Sequence, residues 1–224
     1  MNAVFVTGTG TDVGKTFVTA ALIRTLRARG RGIEALKPVA TGFDPALIAG
    51  SDSGILLAAL GRQVTPETLD RVTPWRYAAP LSPDMAAPRE KRALDFDALV
   101  AFTRRATANA PDLLLIEGIG GVMVPLDERH TVLDWIAALD LPVLLVGGSY
   151  LGALSHALTA LEVLAARNLK VLATIISETP GGVDLAATCA TITRFSREIA
   201  VVALPRARTT AAAEEALKPV ANLL

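Results

Sequence analysis

The chain predicts an α/β fold built on a mostly parallel sheet with helices on both faces. Three observations predict it. Short apolar runs alternate with amphipathic stretches along the whole length. The runs at 113–116 and 142–146 are continuously apolar, as strands buried on both faces must be. The residues capable of chemistry fall where such runs end, which is where ligands bind in folds of this kind.

The elements follow in order. Residues 4–6 read as a strand, and 15–28 as a helix closed by Gly30. Residues 33–37 read as a second strand stopped by Pro38, which brings no backbone N–H to a ladder. Ser51 is placed as the N-cap of a helix running to 60. The segment 62–91 is rich in proline and weak in periodicity, and reads as irregular. Residues 95–108 predict a helix, 113–116 a strand, 131–138 a helix and 142–146 a strand. Helices at 154–167 and 183–197 alternate with strands at 171–176 and 199–204. With no internal repeat or low-complexity linker, residues 1–224 form a single domain on this reading.

Composition excludes several classes. At 51% hydrophobic and 20% charged, the 224 residues can bury a large core without disulfides and do not suit a disordered chain. Lys plus Arg balances Asp plus Glu at 22 each, so no basic surplus points to nucleic acid. One cysteine, Cys189, cannot form an internal disulfide, and two histidines cannot build a His-rich zinc site. The first seven residues lack a basic n-region and read as a strand rather than a signal peptide. No apolar run approaches the ~18 residues of a membrane span. The expectation is a cytoplasmic protein.

The first strand runs into Thr7-Gly8-Thr9-Gly10-Thr11-Asp12-Val13-Gly14-Lys15-Thr16, followed by a helix. Small residues before a helix let backbone N–H groups converge on phosphate oxygens, and the terminal Gly-Lys-Thr is the ending of a phosphate loop. The fold is therefore expected to be P-loop NTPase-like. Lys15 would meet the β- and γ-phosphates and the Thr16 hydroxyl would ligate Mg²⁺. The first glycine falls at Gly8, one residue earlier than the usual spacing. Glu117, at the end of an apolar run, is the candidate metal carboxylate, and Gly118-Ile119-Gly120-Gly121 after it permits close approach to a phosphate. Asp52 is a second candidate, although an acid in a first helical turn ordinarily serves the helix dipole. Lys37 ends a strand, where a lysine ordinarily snorkels to solvent. Its interest lies in the phosphate loop at a neighbouring strand end.

These residues together resemble the dethiobiotin synthetase family. The likeness rests on Gly8-Thr9-x-Thr11-x-Val13-Gly14-Lys15-Thr16, on Lys37-Pro38-Val39 with Thr41-Gly42, on Ser51-Asp52 and on Glu117-Gly118-x-Gly120-Gly121. Pro74-Trp75 to Pro83, and Leu151-Gly152 with His156, extend it over most of the chain. The resemblance implies a homodimeric ligase that uses ATP, Mg²⁺ and CO₂ to close a cyclic urea on 7,8-diaminononanoate, through a carbamate and a carbamic-phosphoric anhydride. It implies that Thr11, Asp12, Val13, Gly14, Lys15, Thr16 and Phe17 hold the triphosphate. Thr16, Asp52 and Glu117 would surround Mg²⁺, and Gly118, Ile119 and Gly120 would border the nucleotide. Lys15 and Lys37 would be catalytic, Lys37 binding the carbamate with Thr41 near the substrate. Tyr150, Leu151, Gly152, Ala153 and Leu154 would receive the substrate's tail carboxylate across the dimer interface. Ser177, Pro205, Arg206 and Ala207 would flank the base. The chain departs from the family pattern at Gly10, Asp84, Tyr150 and Ser177-Glu178.

The rival reading is a P-loop ATPase switch of the partition or septum-positioning type. Such switches carry a lysine four residues before the loop's last glycine, where this chain has Gly10. The stretch 211–224, with two acids and one lysine, is a poor anchor for DNA or membrane. Among the remaining residues, Arg24, Arg27, Arg29 and Arg31 are expected at a solvated helix end, and Trp135 in the core or a dimer interface.

Overall fold

The computed structural model describes residues 2–196, 198–206 and 209–224. Six parallel strands form the central sheet: β1 (Ala3–Gly8), β2 (Ile33–Leu36), β5 (Leu113–Glu117), β6 (Val143–Gly148), β7 (Val171–Ser177) and β8 (Ala200–Leu204), in the order β2-β5-β1-β6-β7-β8. The chain first builds outward from β1 to β2 and later returns to its other side with β6. This reversal of direction beside β1 creates the crevice in which such sheets bind ligands.

Alternation along the strands divides the core. Leu113 and Leu115 of β5, with Val4 and Val6 of β1, face α1 (Lys15–Ala28) through Val18, Leu22, Ile23 and Leu26. Leu114, Ile116 and Phe5 face the opposite way, toward Leu99 of α5 (Phe96–Ala108) and Trp135 and Ile136 of α6 (Val132–Leu139). Trp135 is fully buried, packs edge-on to Phe5 with ring centroids 4.8 Å apart, and donates from Nε1 to Thr103 Oγ1 at 3.3 Å. It is a core residue. Because α1 is held by this much apolar contact, its N-terminus and the phosphate loop before it have a fixed position.

The helices begin where capping chemistry permits. Ser51 accepts from the Gly54 N–H and caps α2 (Asp52–Ala59), while Asp95 caps α5 by accepting from Ala98. Thr131 and Asp134 form a reciprocal capping box at α6. The next two helices on the sheet are α7 (Ala153–Ala166) and α8 (Leu185–Phe195).

The expectation of an irregular 62–91 segment is corrected. It contains α3 (Pro66–Val72), β4 (Trp75–Tyr77) and α4 (Pro83–Arg89), and β4 pairs in parallel with β3 (Val39–Thr41) in a separate two-stranded sheet. The prolines misled the reading because Pro66 and Pro83 stand in the first helical turn, where a missing N–H costs nothing. Elements of three to seven residues are also too short to show a period. The arginines expected at a solvated helix end stand there, Arg27 and Arg29 exposed, and three of the four also make contacts. Arg24 pairs with Glu214 at 3.2 Å, Arg27 donates to the Ala59 carbonyl at 2.8 Å, and Arg29 to Asn222 at 2.8 Å. Through these contacts α1 is tied to α2 and to the C-terminal helices α9 (Thr210–Ala216) and α10 (Lys218–Ala221), whose Ala213, Val220 and Ala221 join its core.

Candidate active site

Register places the charged residues. β2 and β5 pair with Leu36 opposite Ile116, so the next residues, Lys37 and Glu117, emerge side by side. β1 pairs with β5 through Val6 and Glu117, which puts the phosphate loop beside the same carboxylate. The Lys37 ammonium sits 2.8 Å from Glu117 Oε1 and 3.0 Å from Asp52 Oδ2, and donates to the Gly118 carbonyl at 2.8 Å. All three of its donors are used. Lys37 is 3% exposed and Glu117 fully buried, so the solvent-facing lysine expected of a strand end is corrected. Burial alone would lower the Lys37 ammonium, but Glu117 and Asp52 outweigh it and hold the group above its usual value. Burial likewise opposes the Asp52 carboxylate, and the Lys37 cation overcomes it and holds Asp52 below its usual range. Asp52 thus does more than complement a helix dipole.

Thr16 completes the cluster. Its hydroxyl lies 2.8 Å from Asp52 Oδ1 and 2.6 Å from Glu117 Oε1, although one hydroxyl has one proton to donate. Glu117 Oε2 is buried without a hydrogen-bond partner among the described residues. Three oxygens converge there, only Glu117 Oε1 also taking a proton from Lys37, and with the orphaned Glu117 Oε2 they are a donor set that fits a hard divalent cation. Mg²⁺ characteristically takes few protein oxygens and completes its shell with phosphate and water. Thr16, Asp52 and Glu117 are the residues that would hold it.

The loop itself curls over Lys15. Gly14 takes φ +94° as the helix begins, a conformation open to glycine at little cost. The Lys15 ammonium folds back to donate to the Gly10 carbonyl at 2.7 Å. Burial and the neighbouring Lys37 push that ammonium down to about 8, against the pull of Glu117 and Asp52. Val13 points into the core, leaving only its backbone to face a ligand. Asp12 adopts φ +57°, which a short polar side chain tolerates.

A cleft of about 790 Å³ opens over this cluster. Thr11, Asp12, Gly14, Lys15, Thr16, Phe17, Lys37, Thr41, Asp52, Ile119 and Gly120 all border it. Sequence reasoning missed its far wall, Pro80, Leu81 and Ser82, because these lie in the segment read as irregular. Gly118 and Gly121 do not border the cleft. Gly118 backs onto the Phe5 ring, and a β-carbon on Gly121 would stand 3.1 Å from the Thr9 carbonyl oxygen and 3.2 Å from Gly10 N. The glycine at 121 lets the loop after β5 lie against the phosphate loop.

The other expected site residues do not border this cleft. Tyr150 to Leu154 form the entry to α7, where Gly152 at φ +97° provides no side-chain cap and Leu151 is 92% exposed. Tyr150 pairs through its hydroxyl with His156 Nδ1 at 2.8 Å. Ser177 ends β7 with its hydroxyl buried and unpartnered, 3.0 Å from where a β-carbon of Gly14 would stand. Pro205 and Arg206 follow β8, and the Arg206 N–H donates to Glu178 Oε2 at 2.7 Å. Ala207 lies outside the described residues.

Comparison with known proteins agrees with this layout. The family model described as "AAA domain" matches residues 2–214. The chain is 56% identical over 187 residues to the ATP-dependent dethiobiotin synthetase BioD of Methylobacterium nodulans, covering 81% of this chain and 83% of that protein. It is 51% identical over 178 residues to the protein of the same name from Acidiphilium cryptum, covering 79% and 80%. Among solved structures it is similar to the cell division ATPase MinD of Pyrococcus furiosus, with TM-score 0.57, 17% identity and 96% and 89% of the two chains covered. The MinC:MinD cell division complex of Aquifex aeolicus gives TM-score 0.57 at 10% identity, covering 96% and 86%. At these identities the structural likeness speaks for the P-loop α/β fold alone, whereas the sequence relatives share one name at half identity or more. The chain belongs to the dethiobiotin synthetase family.

Proposed function

We propose that this chain is the ATP-dependent cyclo-ligase that carboxylates 7,8-diaminononanoate with CO₂ and closes the ureido ring of dethiobiotin, a step of biotin biosynthesis. The observation that carries the reading is the buried Lys37, held by Glu117 and Asp52 at the floor of a cleft whose rim is the phosphate loop. A nucleotide switch needs a phosphate loop and a metal carboxylate. Such a switch carries its second lysine within the phosphate loop, where this chain has Gly10, whereas here the second ammonium stands at a neighbouring strand end, suited to an anionic intermediate beside a triphosphate.

The chemistry proceeds in three steps. One substrate amine attacks CO₂, forming the C–N bond and releasing a proton to leave a carbamate. Lys37 receives this anion by giving up Asp52, its half-exposed partner, while keeping Glu117 and Gly118. A carbamate oxygen then attacks the γ-phosphorus, and the bond to ADP breaks. Lys15 leaves the Gly10 carbonyl to follow the charge on the phosphates. The second amine attacks the carbonyl carbon of the mixed anhydride, phosphate departs with its bonding pair, and a proton is lost as the ring closes. Mg²⁺, held by Thr16, Asp52 and Glu117, would neutralise phosphate charge when bound. Positioning and charge supply most of the acceleration, without an acyl-enzyme.

The protein acts as a homodimer in this reading. The entry to α7, from Tyr150 to Leu154, offers backbone N–H groups to the substrate's tail carboxylate in the partner's cleft. Its support is the exposed Leu151, which does not border the cleft of its own chain. Neither nucleic acid nor membrane is a partner, and the reaction runs in the cytoplasm. The balanced charge supports this, and among the described residues no helix is long and apolar enough to cross a membrane. Incubation with diaminononanoate, ATP, Mg²⁺ and ¹³C-bicarbonate, with the product weighed by mass spectrometry, tests the reading. The expected result is dethiobiotin carrying one labelled carbon. ATP hydrolysis with no labelled product would reject it.

A further inference from the structure

A second cavity, of about 510 Å³, shares no lining residue with the catalytic cleft. Its size is that of a small-molecule site, for which ~300–1,000 Å³ is usual. Two segments of the chain run from one space to the other. Pro80, Leu81 and Ser82 face the cleft, and Pro83 and Asp84 of α4 follow them into the cavity. Ile119, Gly120 and Val124 face the cleft, and residues 126–130 after them face the cavity. That stretch is a hairpin, closed by the Leu126 N–H donating to the His130 carbonyl at 2.8 Å. The His130 ring stacks on Phe96 of α5 with centroids 3.9 Å apart, which joins the hairpin to α5.

Apolar side chains and carboxylates share the lining. Pro83, Ala87, Leu94 and Leu126 are buried and give the cavity apolar surface. Its ionisable side chains, among the described residues, are five carboxylates, two guanidiniums and one imidazole. Asp95 is spent as the cap of α5, and Asp127 accepts from the Arg129 and His130 N–H groups at 2.8 and 2.7 Å. Arg92 is committed to the Arg76 carbonyl at 2.8 Å and to Glu90 at 3.1 Å, neither of which lines the cavity. Asp84 is different. Its Oδ1 is buried without a hydrogen-bond partner among the described residues. It stands at one of the positions where the chain departs from the family pattern, and no step of the proposed reaction uses it. A buried carboxylate oxygen without a donor keeps its full desolvation cost until a donor arrives from outside the chain. Asp97 and Glu128, both exposed, add negative charge that the exposed Arg129 only partly balances.

We propose that this cavity binds a small organic cation, a primary ammonium on a hydrocarbon body, with Asp84 accepting from the ammonium and Ala87, Leu94 and Leu126 packing on the body. An ammonium brings donors and no acceptor, which suits a carboxylate surplus with an orphaned oxygen. The hydrocarbon body removes buried apolar surface from water. An anion would meet like charge, and an uncharged polar ligand would leave the surplus uncompensated. The site stands apart from the ligase reading, since neither the phosphate loop nor the Lys37 cluster lines it.

Cyclohexylmethylamine and cyclohexylmethanol test this, because they share a hydrocarbon body and differ in charge. Each is titrated into the full chain while ¹H–¹⁵N amide shifts are followed. The amine is expected to shift amides within 84–97 and 126–130 with a Kd on the order of 1 mM, about tenfold tighter than the alcohol. Asp84→Asn removes the charge at nearly unchanged shape, and should bring the amine down to the affinity of the alcohol. Ala93→Trp fills the cavity from an exposed position and should abolish the shifts caused by both. Equal affinities of amine and alcohol in the wild type would overturn the proposal, as would undiminished amine binding in a folded Asp84→Asn. No shift at these amides, or shifts confined to the catalytic cleft, would overturn it too. The wild-type pair decides the matter even if a variant fails to fold.

Discussion

The two sides of the phosphate loop are built differently. On the β2–β5 side, Lys37, Glu117, Thr16 and Asp52 form a network in which the ammonium is 3% exposed and every one of its donors is used. On the β7–β8 side, the exposed Glu178 carboxylate accepts from one backbone N–H, that of Arg206, and the Ser177 hydroxyl is buried without a partner. The first region is rigid because a buried charge without its partners is expensive, on the order of 3–5 kcal/mol when a partner is removed. The second carries no such constraint. The contrast teaches that desolvated charge fixes the geometry on the β2–β5 side, while the β7–β8 side rests on weaker, solvent-moderated contacts.

Breaking the first region has the largest expected effect. Lys37→Ala should lower turnover by about a thousandfold while ADP still binds, because its partner is the carbamate rather than the nucleotide. Steady-state rates beside ADP titrations check this, and near-wild-type turnover would remove Lys37 from the mechanism. Lys15→Ala should weaken nucleotide binding and activity together, each by roughly a hundredfold, since it removes a direct phosphate contact. Unaltered ADP affinity would show that Lys15 remains on the Gly10 carbonyl in the complex.

Subunit mixing sharpens the comparison by asking whether a third region joins the cleft from a partner. Leu151→Asp sets a negative charge at the uncapped start of α7 on a side chain that is 92% exposed. Mixed one to one with Lys37→Ala, each heterodimer has one intact site, so activity should recover to about a quarter of wild type. If heterodimers form and no activity returns, the site is contained in one chain. The smallest effect concerns the scaffold. Asp134→Ala removes the acceptor for the Thr131 N–H at 2.9 Å and for Arg167 at 3.0 Å, and should cost about 1 kcal/mol in denaturant unfolding at neutral pH. Burial opposes the Asp134 charge, but its bonds to Thr131 and Arg167 outweigh it and hold the carboxylate below its ordinary 3.8. Its stabilisation is therefore complete above that pH and lost as the pH falls below it, so the gap between wild type and variant should close in acid.

The two regions also differ in how far the sequence discloses them. The phosphate loop, Glu117 and the strand ends are visible because strand, turn and helix follow one another locally. The burial of Lys37 is not, since it depends on β2 pairing with β5 across some eighty residues, in the one register that sets Lys37 beside Glu117. Asp52 is legible only as a second candidate for the same reason, because its Thr16 and Lys37 contacts are made by the fold and its sequence neighbourhood shows a capped helix. Pro66 and Pro83 concealed two helices by starting them. Gly121 shows the limit of motif reasoning: a glycine-rich stretch announces close approach without saying that the phosphate loop's backbone is what comes close.

The central claim is that an anion held at Lys37 takes the γ-phosphoryl group before the ring closes. A single turnover with ¹⁸O-labelled CO₂ in unlabelled water, quenched before isotope exchange, tests it most directly. If a carbamate oxygen attacks phosphorus and leaves with it, the released phosphate carries one ¹⁸O for each dethiobiotin formed. Phosphate free of label, accompanied by full conversion to dethiobiotin, would contradict the account.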